Sequence, residues 1–204
     1  MKSDTFIRKY RSFIMIFLIA FFVYCSNMMI NTTIAKYADH LGATSAIVGT
    51  VSGSFAMMAL LMRPFSGQAV DNLNKKHLLS LSMGIILLST IGLSYANQVY
   101  QLILFRGLNG FGWGIGSTLC MTIATNSVPR EKMTTGIGIY SMGQTIAQAT
   151  APSIALAIVA ASTYNYLYRI NVILMIVALI LSFFIKIDNN IPNKQFKFSF
   201  NLKK

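Results

Sequence analysis

The chain has 204 residues, of which 54% are hydrophobic and only 11% are charged, and its formal net charge is +12. Soluble domains contain about 25% charged residues, so this composition is typical of a membrane protein and excludes an ordinary soluble enzyme. The positive charge does not indicate nucleic-acid binding, because the Lys and Arg residues lie between apolar segments. At those places they meet lipid headgroups and set membrane topology.

Six apolar segments follow one another, each long enough to cross the bilayer's hydrocarbon core, which needs roughly 20 residues of helix. Helices are predicted throughout, since hydrocarbon cannot satisfy an open backbone. The sequence predicts an all-α protein with a cytoplasmic amino terminus at 1–10, one transmembrane bundle at 11–186 and a basic cytoplasmic tail at 187–204. The predicted helices cover 11–35, 45–65, 77–96, 99–125, 133–160 and 165–186.

The distribution of positive charge predicts the orientation of the bundle. Most of the 17 Lys and Arg residues fall at the two termini and in the loops after the second and fourth segments. The positive-inside rule assigns these parts to the cytoplasm. An even number of spans also requires both termini on one side of the membrane. We therefore expect a multi-pass protein of the cell membrane with both ends in the cytoplasm.

The loop predicted between the second and third segments, at 63–76, carries a recognisable pattern. A glycine is followed after three residues by an aspartate and then by a basic pair. This pattern resembles the signature loop of the major facilitator superfamily, although Asn72 and Asn74 depart from it. The residues that carry the resemblance are Gly67, Asp71, Lys75 and Lys76.

Two further segments extend the resemblance to the rest of the chain. The fourth segment contains Arg106, Asn109 and Gly110 at the spacing of the family's helix-4 motif, and Pro152 lies in a segment similar to its helix-5 motif. The resemblance implies the amino-terminal half of the family fold, built as two inverted three-helix repeats. It is nearest to the multidrug and sugar exporters, and it implies that the chain stops where a linker to a second six-helix half would begin.

The resemblance also implies a conformational latch on the cytoplasmic side. Gly67 has no Cβ and permits close approach of neighbouring helices. We expect Asp71 to lie near the start of the third helix, where a carboxylate suits the positive end of the helix dipole. In the family this aspartate faces the other half, and Lys75, Lys76 and Glu131 would add charges that pair there. An ordinary capped, basic loop explains the same residues without the resemblance.

Polar side chains inside the apolar segments predict a substrate cavity. An intramembrane arginine is costly and usually faces an internal cavity, and Arg106 shares a helix face with Asn109 and Trp113. The alternative is hydrogen bonding between helices, which contributes only about 0.6 kcal/mol on average. The resemblance implies that helices 1 and 4 line the cavity. The residues predicted to line it are Tyr24, Asn27, Asn31, Arg106, Asn109, Trp113, Gln144 and Gln148.

Small residues at intervals of four predict close helix packing, because such rows let membrane helices approach backbone to backbone. Tightly packed bundles are the bodies that rock against each other in alternating access. The rows are Gly49 with Gly53, Gly110 with Gly114, and a row in the fifth helix that begins at Gly143. Pro152 lies in the same helix and is assigned to its packing.

Several functions are disfavoured by what the sequence lacks. No acidic residue lies in the middle of a span, which argues against a self-contained proton antiporter. Zinc-binding His-Glu motifs, a Gly-x-Ser-x-Gly turn and a Walker loop are absent from the sequence. We therefore predict neither an enzyme activity nor a cofactor or metal site.

The function predicted from these patterns is that of the amino-terminal half of a secondary transporter, an exporter of small molecules. It would rock against a second transporter half or a second copy of itself, with the substrate held between them in the lipid bilayer. Two alternatives remain open. One is a truncated and inactive transporter fragment, and the other is a non-transporting membrane subunit that associates with a carrier.

Overall fold

The computed structural model describes residues 2–185 and 187. Within them the chain forms six long helices, joined by short connections and by one 3-10 turn at Arg130–Lys132, so the all-helical prediction is confirmed. Beyond residue 187, the predicted basic tail lies outside the described residues. The helices are α1 (Lys2–His40), α2 (Ser45–Asn72), α3 (Lys75–Tyr95), α4 (Val99–Asn126), α5 (Met133–Ala161) and α6 (Tyr164–Phe184).

Five of the helices in the described residues are long and apolar enough to cross a membrane, namely α1, α2, α3, α5 and α6. The fourth predicted span, α4, has 28 residues and is long enough. It is less apolar because it contains Arg106, Asn109 and several glycines and hydroxyl residues. α4 packs against α2 and α3, and its most polar side chains within the span, Arg106 and Asn109, are buried and need not face lipid.

The signature segment is mostly helical and is not the loop that the sequence predicts. α2 continues through it, with Pro64 inside, and ends at Asn72. The prediction that Asp71 lies near the start of the third helix is therefore wrong. Its backbone belongs to the last turn of α2, where the helix dipole is negative, and its side chain lies outside the described residues. α2 runs through Pro64 and Gly67 although both residue types disfavour helix, because tertiary context overrides intrinsic propensity.

The actual break between α2 and α3 consists of two residues. Leu73 is extended, with φ −109° and ψ 163°. The side chain of Asn74 then accepts hydrogen bonds from the backbone N–H groups of Lys76 and His77. An asparagine in this position satisfies donors that the first helical turn leaves free. Asn74, which departs from the family pattern, is thus the residue that caps α3.

The helices pack around α1 and α4. In the described residues α4 contacts α2, α3, α1 and α5, whereas α1 contacts α5, α6, α4 and α2. α3 also packs against α6. The apolar segments of α2 and α5 are far less buried than those of α1, α3 and α6. The bundle therefore presents two helices, α2 and α5, whose surfaces are mostly uncovered by the rest of the chain.

Glycines set the contact between α2 and α4. A Cβ on Gly110 would lie 2.9 Å from the Cα atom of Phe55, and a Cβ on Gly114 would lie 2.8 Å from the carbonyl oxygen of Ala59. Real Cβ atoms do not approach other atoms so closely without displacement, because protein interiors are close-packed. α2 can lie at this distance from α4 because residues 110 and 114 have no side chain.

Gly143 has a similar place between α5 and α1, where a Cβ would lie 2.6 Å from the ring of Phe17. Pro152 lies in the interior of α5 and does not divide the helix into two. By contrast, Gly49 and Gly53 of α2 have open space in place of a neighbouring atom. Their row lies on the uncovered side of α2, so no described helix of this chain uses it for packing.

Candidate functional site

A buried arginine links the two central helices. Arg106 of α4 is only 1% exposed. One terminal nitrogen, Nη1, donates a hydrogen bond to Oδ1 of Asn109, 3.3 Å away. The other, Nη2, donates to Oδ1 of Asn31 on α1. The structure thus brings together three of the residues predicted to line the cavity.

The hydrogen bonds continue outward from the arginine in both directions. Nδ2 of Asn31 donates to Oδ1 of Asn27 at 2.6 Å. Nδ2 of Asn109 donates to the hydroxyl of Ser89 on α3 at 2.9 Å. Each amide accepts on the side of the cation and donates on the far side, which suits a guanidinium, since it has donors only. The network therefore connects α1, α3 and α4.

An aromatic wall covers one side of the arginine. The ring of Phe55 on α2 packs against the face of the guanidinium, with 4.1 Å between the guanidinium carbon and the ring centroid. This is within the range of a cation–π interaction. The ring of Trp113 lies 6.2 Å from that of Phe55 and contacts Tyr24 edge to face at 4.8 Å. Tyr24 and Trp113 were predicted as cavity residues, and they lie side by side next to the network.

The network is mostly buried but reaches the surface at one point. Arg106, Asn109 and Asn27 are buried, whereas Asn31 is exposed. Asn31 therefore forms the open end of a polar path whose inner end is the guanidinium. Nε of Arg106 has no hydrogen-bond partner among the described residues. The site therefore contains a buried cation whose Nε has no described partner and whose Nη2 binds the exposed amide of Asn31.

The two glutamines predicted for the cavity lie apart from the network. Gln144 is half-buried and Gln148 is exposed, both on α5. Within the described residues, neither is hydrogen-bonded to the asparagines or to Arg106. α5 packs mainly against α1, and its buried stripe consists of smaller residues and Tyr140.

The residues of the predicted latch lie around the ends of helices. Gly67 is exposed in α2, with open space where its Cβ would be. Lys75 and Lys76 begin α3, and Glu131 lies in the exposed turn before α5. In the described part of the chain, no ion pair links Glu131 to either lysine. The latch therefore stays a prediction.

Phe55 and Ser89 belong to the site and were missed by the sequence analysis. Phe55 is one more aromatic residue in an apolar segment, and Ser89 is one of several serines in α3. The signal that pointed to Phe55 was indirect, because Gly110 lies one turn after Arg106 and predicts a close neighbour there. The structure identifies that neighbour as the backbone of Phe55.

A second polar cluster ties the far end of α1 to its neighbours. The hydroxyl of Tyr37 contacts the carbonyl oxygen of Ala96 and, at 2.6 Å, Oδ1 of Asn165. Its ring stacks on that of Tyr164 with 4.9 Å between the centroids. The ring of His40 lies 5.7 Å from that of Tyr164. The cluster joins α1, the turn between α3 and α4, and α6, so we interpret it as structural.

Comparison with known proteins identifies the family. The family model of the Major Facilitator Superfamily matches residues 16–201. The staphylopine export protein of Staphylococcus aureus (strain Mu50 / ATCC 700699) is 24% identical over 181 residues, which cover 84% of this chain and 42% of that protein. The multidrug transporter protein MdtP of Bacillus subtilis (strain 168) is 22% identical over 160 residues, or 78% of this chain and 29% of that protein. The chain thus spans less than half the length of these relatives.

Solved structures agree on the fold. The peptide transporter POT in complex with sulfate superposes with a TM-score of 0.78 at 14% sequence identity, covering 85% of this chain and 37% of that one. A POT family transporter in complex with 5-aminolevulinic acid gives a TM-score of 0.77 over 85% of this chain and 38% of that one. With most of its residues matched by the family model and its bundle matched by these folds, the chain belongs to the Major Facilitator Superfamily.

Proposed function

We propose that this chain forms one six-helix half of a secondary transporter that exports small molecules across the cell membrane by alternating access. α1 and α4 would line one wall of the solute path, with the network around Arg106 as the binding surface. Support for export comes from relatives named as an export protein and as a multidrug transporter. The substrate would bind between this half and a second one.

The observation that carries this proposal is the open end of the Arg106 network. A buried arginine with a purely structural role is expected to have a partner for each of its nitrogens. Here Nε of a nearly fully buried guanidinium has no partner among the described residues, and Nη2 donates to the exposed Asn31. An intramembrane cation that faces an accessible polar path is typical of a transport site.

A second six-helix unit is part of the proposal. α2 and α5 are mostly uncovered, and Gly49, Gly53 and Gly138 meet open space. Polar residues on the exposed surface of α5 include Ser141, Thr145 and Gln148. Exposing these groups to lipid is unfavourable, which supports their contact with another transporter half or a second copy. The predicted latch of Gly67, Asp71, Lys75, Lys76 and Glu131 would then bind across the cytoplasmic side of that contact.

Solute flux tests the function directly. The purified chain is reconstituted into vesicles loaded with a panel of labelled cationic, neutral and anionic small molecules, and the release of each is measured with and without the solute outside. We expect exchange of at least one solute by the wild type, loss of it in Arg106→Ala and retention of it in Arg169→Ala. Arg169 is the matched control, because it is exposed on α6 and lies over Tyr95.

The outcomes separate the proposal from its alternatives. If the chain alone exchanges no solute but does so together with a second family-like half, the transport proposal stands and the active unit is a two-chain carrier. If neither preparation exchanges any solute, the chain is an inactive fragment or a non-transporting subunit. Because Arg106→Ala removes the donor to the side-chain oxygens of Asn31 and Asn109, its folding is checked by gel filtration, and Asn31→Ala serves as a second variant.

A further inference from the structure

We propose that Arg106 binds a carboxylate of the transported molecule, which makes small organic anions the substrate class of this site. The inference deepens the proposed transport function and rests on it. It concerns the charge of the solute, which neither the fold nor the names of the relatives specify. It follows from the charge balance around Arg106, the donors that remain free, and the route from the surface.

The charge balance around Arg106 is incomplete. Among the described residues, its hydrogen-bond acceptors are the neutral amide oxygens of Asn31 and Asn109, and the ring of Phe55 covers one face. The titratable side chain of that part of the structure that interacts with it electrostatically is Tyr168, a phenol that is neutral at physiological pH. A buried charge without an opposite charge is unstable relative to a paired one. An anionic ligand would supply the missing charge.

The free donor has the geometry that a carboxylate requires. A guanidinium presents its donors as a planar fork that matches the two oxygens of a carboxylate. Nη1 and Nη2 of Arg106 already donate to Asn109 and Asn31, whereas Nε is buried and has no partner in the part of the chain that the structure describes. Because Phe55 covers one face of the plane, a ligand reaches the guanidinium at its edge. The edge formed by Nε and Nη2 can therefore accept a carboxylate in two parallel hydrogen bonds.

The route to this edge passes Asn31. The side chain of Asn31 is exposed and accepts from Nη2, so a carboxylate that enters beside it can share or take over that donor. The amides of Asn31 and Asn27 then remain as neutral neighbours for the rest of the solute. A cationic molecule would be repelled at the same place, and a neutral one would leave the charge uncompensated.

The single tryptophan of the chain provides the measurement. Trp113 lies in the aromatic wall beside Phe55 and Tyr24, so its fluorescence reports on the site alone. The full chain in lipid vesicles, which add no tryptophan, is titrated with glutarate and with glutaramide, which have the same carbon skeleton but differ in charge. We expect a saturable change with glutarate and at least tenfold weaker binding of glutaramide. Arg106→Gln should abolish the glutarate response, Arg106→Lys should weaken it, and Arg169→Gln should leave it unchanged.

Equal responses to the acid and the amide, or no response to either in the folded wild type, would overturn the inference. So would a glutarate response that persists in Arg106→Gln. The acid–amide comparison needs no variant and stays decisive if Arg106→Gln fails to fold. A transporter that exchanges neutral or cationic solutes without competition from glutarate would keep the proposed function and reject this inference. Glutarate binding that depends on Arg106, without flux of any solute, would keep the carboxylate site and reject the transport function.

Discussion

The Cα atom of Phe55 lies only 2.9 Å from the position that a Cβ on Gly110 would take. Arg106 lies one turn earlier on α4, and its guanidinium carbon is 4.1 Å from the centroid of the Phe55 ring. The missing side chain at position 110 thus allows α2 to come close enough for its aromatic ring to cover the buried cation. Helix packing and the chemistry of the site depend on the same pair of residues.

Gly110→Ala should separate α2 from α4. The added methyl group overlaps the backbone of Phe55, which cannot rotate away as a flexible side chain would, and such overpacking costs about 1–3 kcal/mol. We expect a lower melting temperature in detergent and weaker binding of glutarate. Gly138→Ala is the matched control, since a Cβ there meets open space. Equal stability of the two variants would contradict the close approach.

Phe55→Leu should weaken the site without unfolding the bundle. The substitution keeps an apolar side chain but removes the ring that interacts with the cation, an interaction of about 0.5–2 kcal/mol. We expect a moderate loss of stability and a several-fold weaker glutarate response in Trp113 fluorescence, whereas Phe55→Tyr should retain both. Phe183→Leu, on an exposed part of α6, is the control for a general loss of aromatic surface. The role of the ring is refuted if Phe55→Leu behaves as this control does.

Asn31→Asp should stabilise the network and block its anion site. It places a carboxylate where Nη2 of Arg106 now donates to an amide, so the buried cation gains a permanent partner of opposite charge. The expected result is a higher melting temperature together with loss of glutarate binding and of solute exchange. Asn31→Leu, which removes the acceptor without adding charge, should lower the melting temperature. Undiminished binding of glutarate by Asn31→Asp would show that the ligand anion does not use this edge of the guanidinium.

Tyr37→Phe should loosen the far end of α1. The change removes the hydroxyl that contacts Ala96 and Asn165, and leaving such buried partners unsatisfied costs about 1–3 kcal/mol. The measurement is thermal unfolding, with Tyr100→Phe as the control because Tyr100 is exposed on α4. Glutarate binding should stay within twofold of the wild type, since the cluster lies outside the Arg106 network. A large effect on binding would instead connect the two clusters.

The sequence predicted the polar members of the site because a charge or an amide in an apolar span is a rare and costly feature. Arg106, Asn109, Asn31 and Asn27 were all found in this way, and the structure joins them in one network. The same signal predicted Gln144, which lies outside this network, and its place in the cavity stays a prediction because its neighbours depend on what covers α5. Periodicity places a residue on a face, but only packing determines what that face meets.

The number and order of the helices were predicted better than the residues at which they end. Apolar length predicted six helices and their order, but the end of α2 was misplaced because the signature segment at 63–76 was assigned to a loop. A proline inside a membrane helix is tolerated when neighbouring groups satisfy the freed backbone, and Pro64 accordingly lies inside α2 without ending it. The real break depends on the cap at Asn74, a residue that departs from the family pattern.

The contacts of α1 restrict where this bundle can bend. Among the described residues it touches α2, α4, α5 and α6, and it runs without interruption from Lys2 to His40. A local displacement of α1 would disturb four neighbours and both polar clusters at once. A hinge within the bundle would therefore be costly, and flexible joints must be sought in the short connections or at the contact with a second unit.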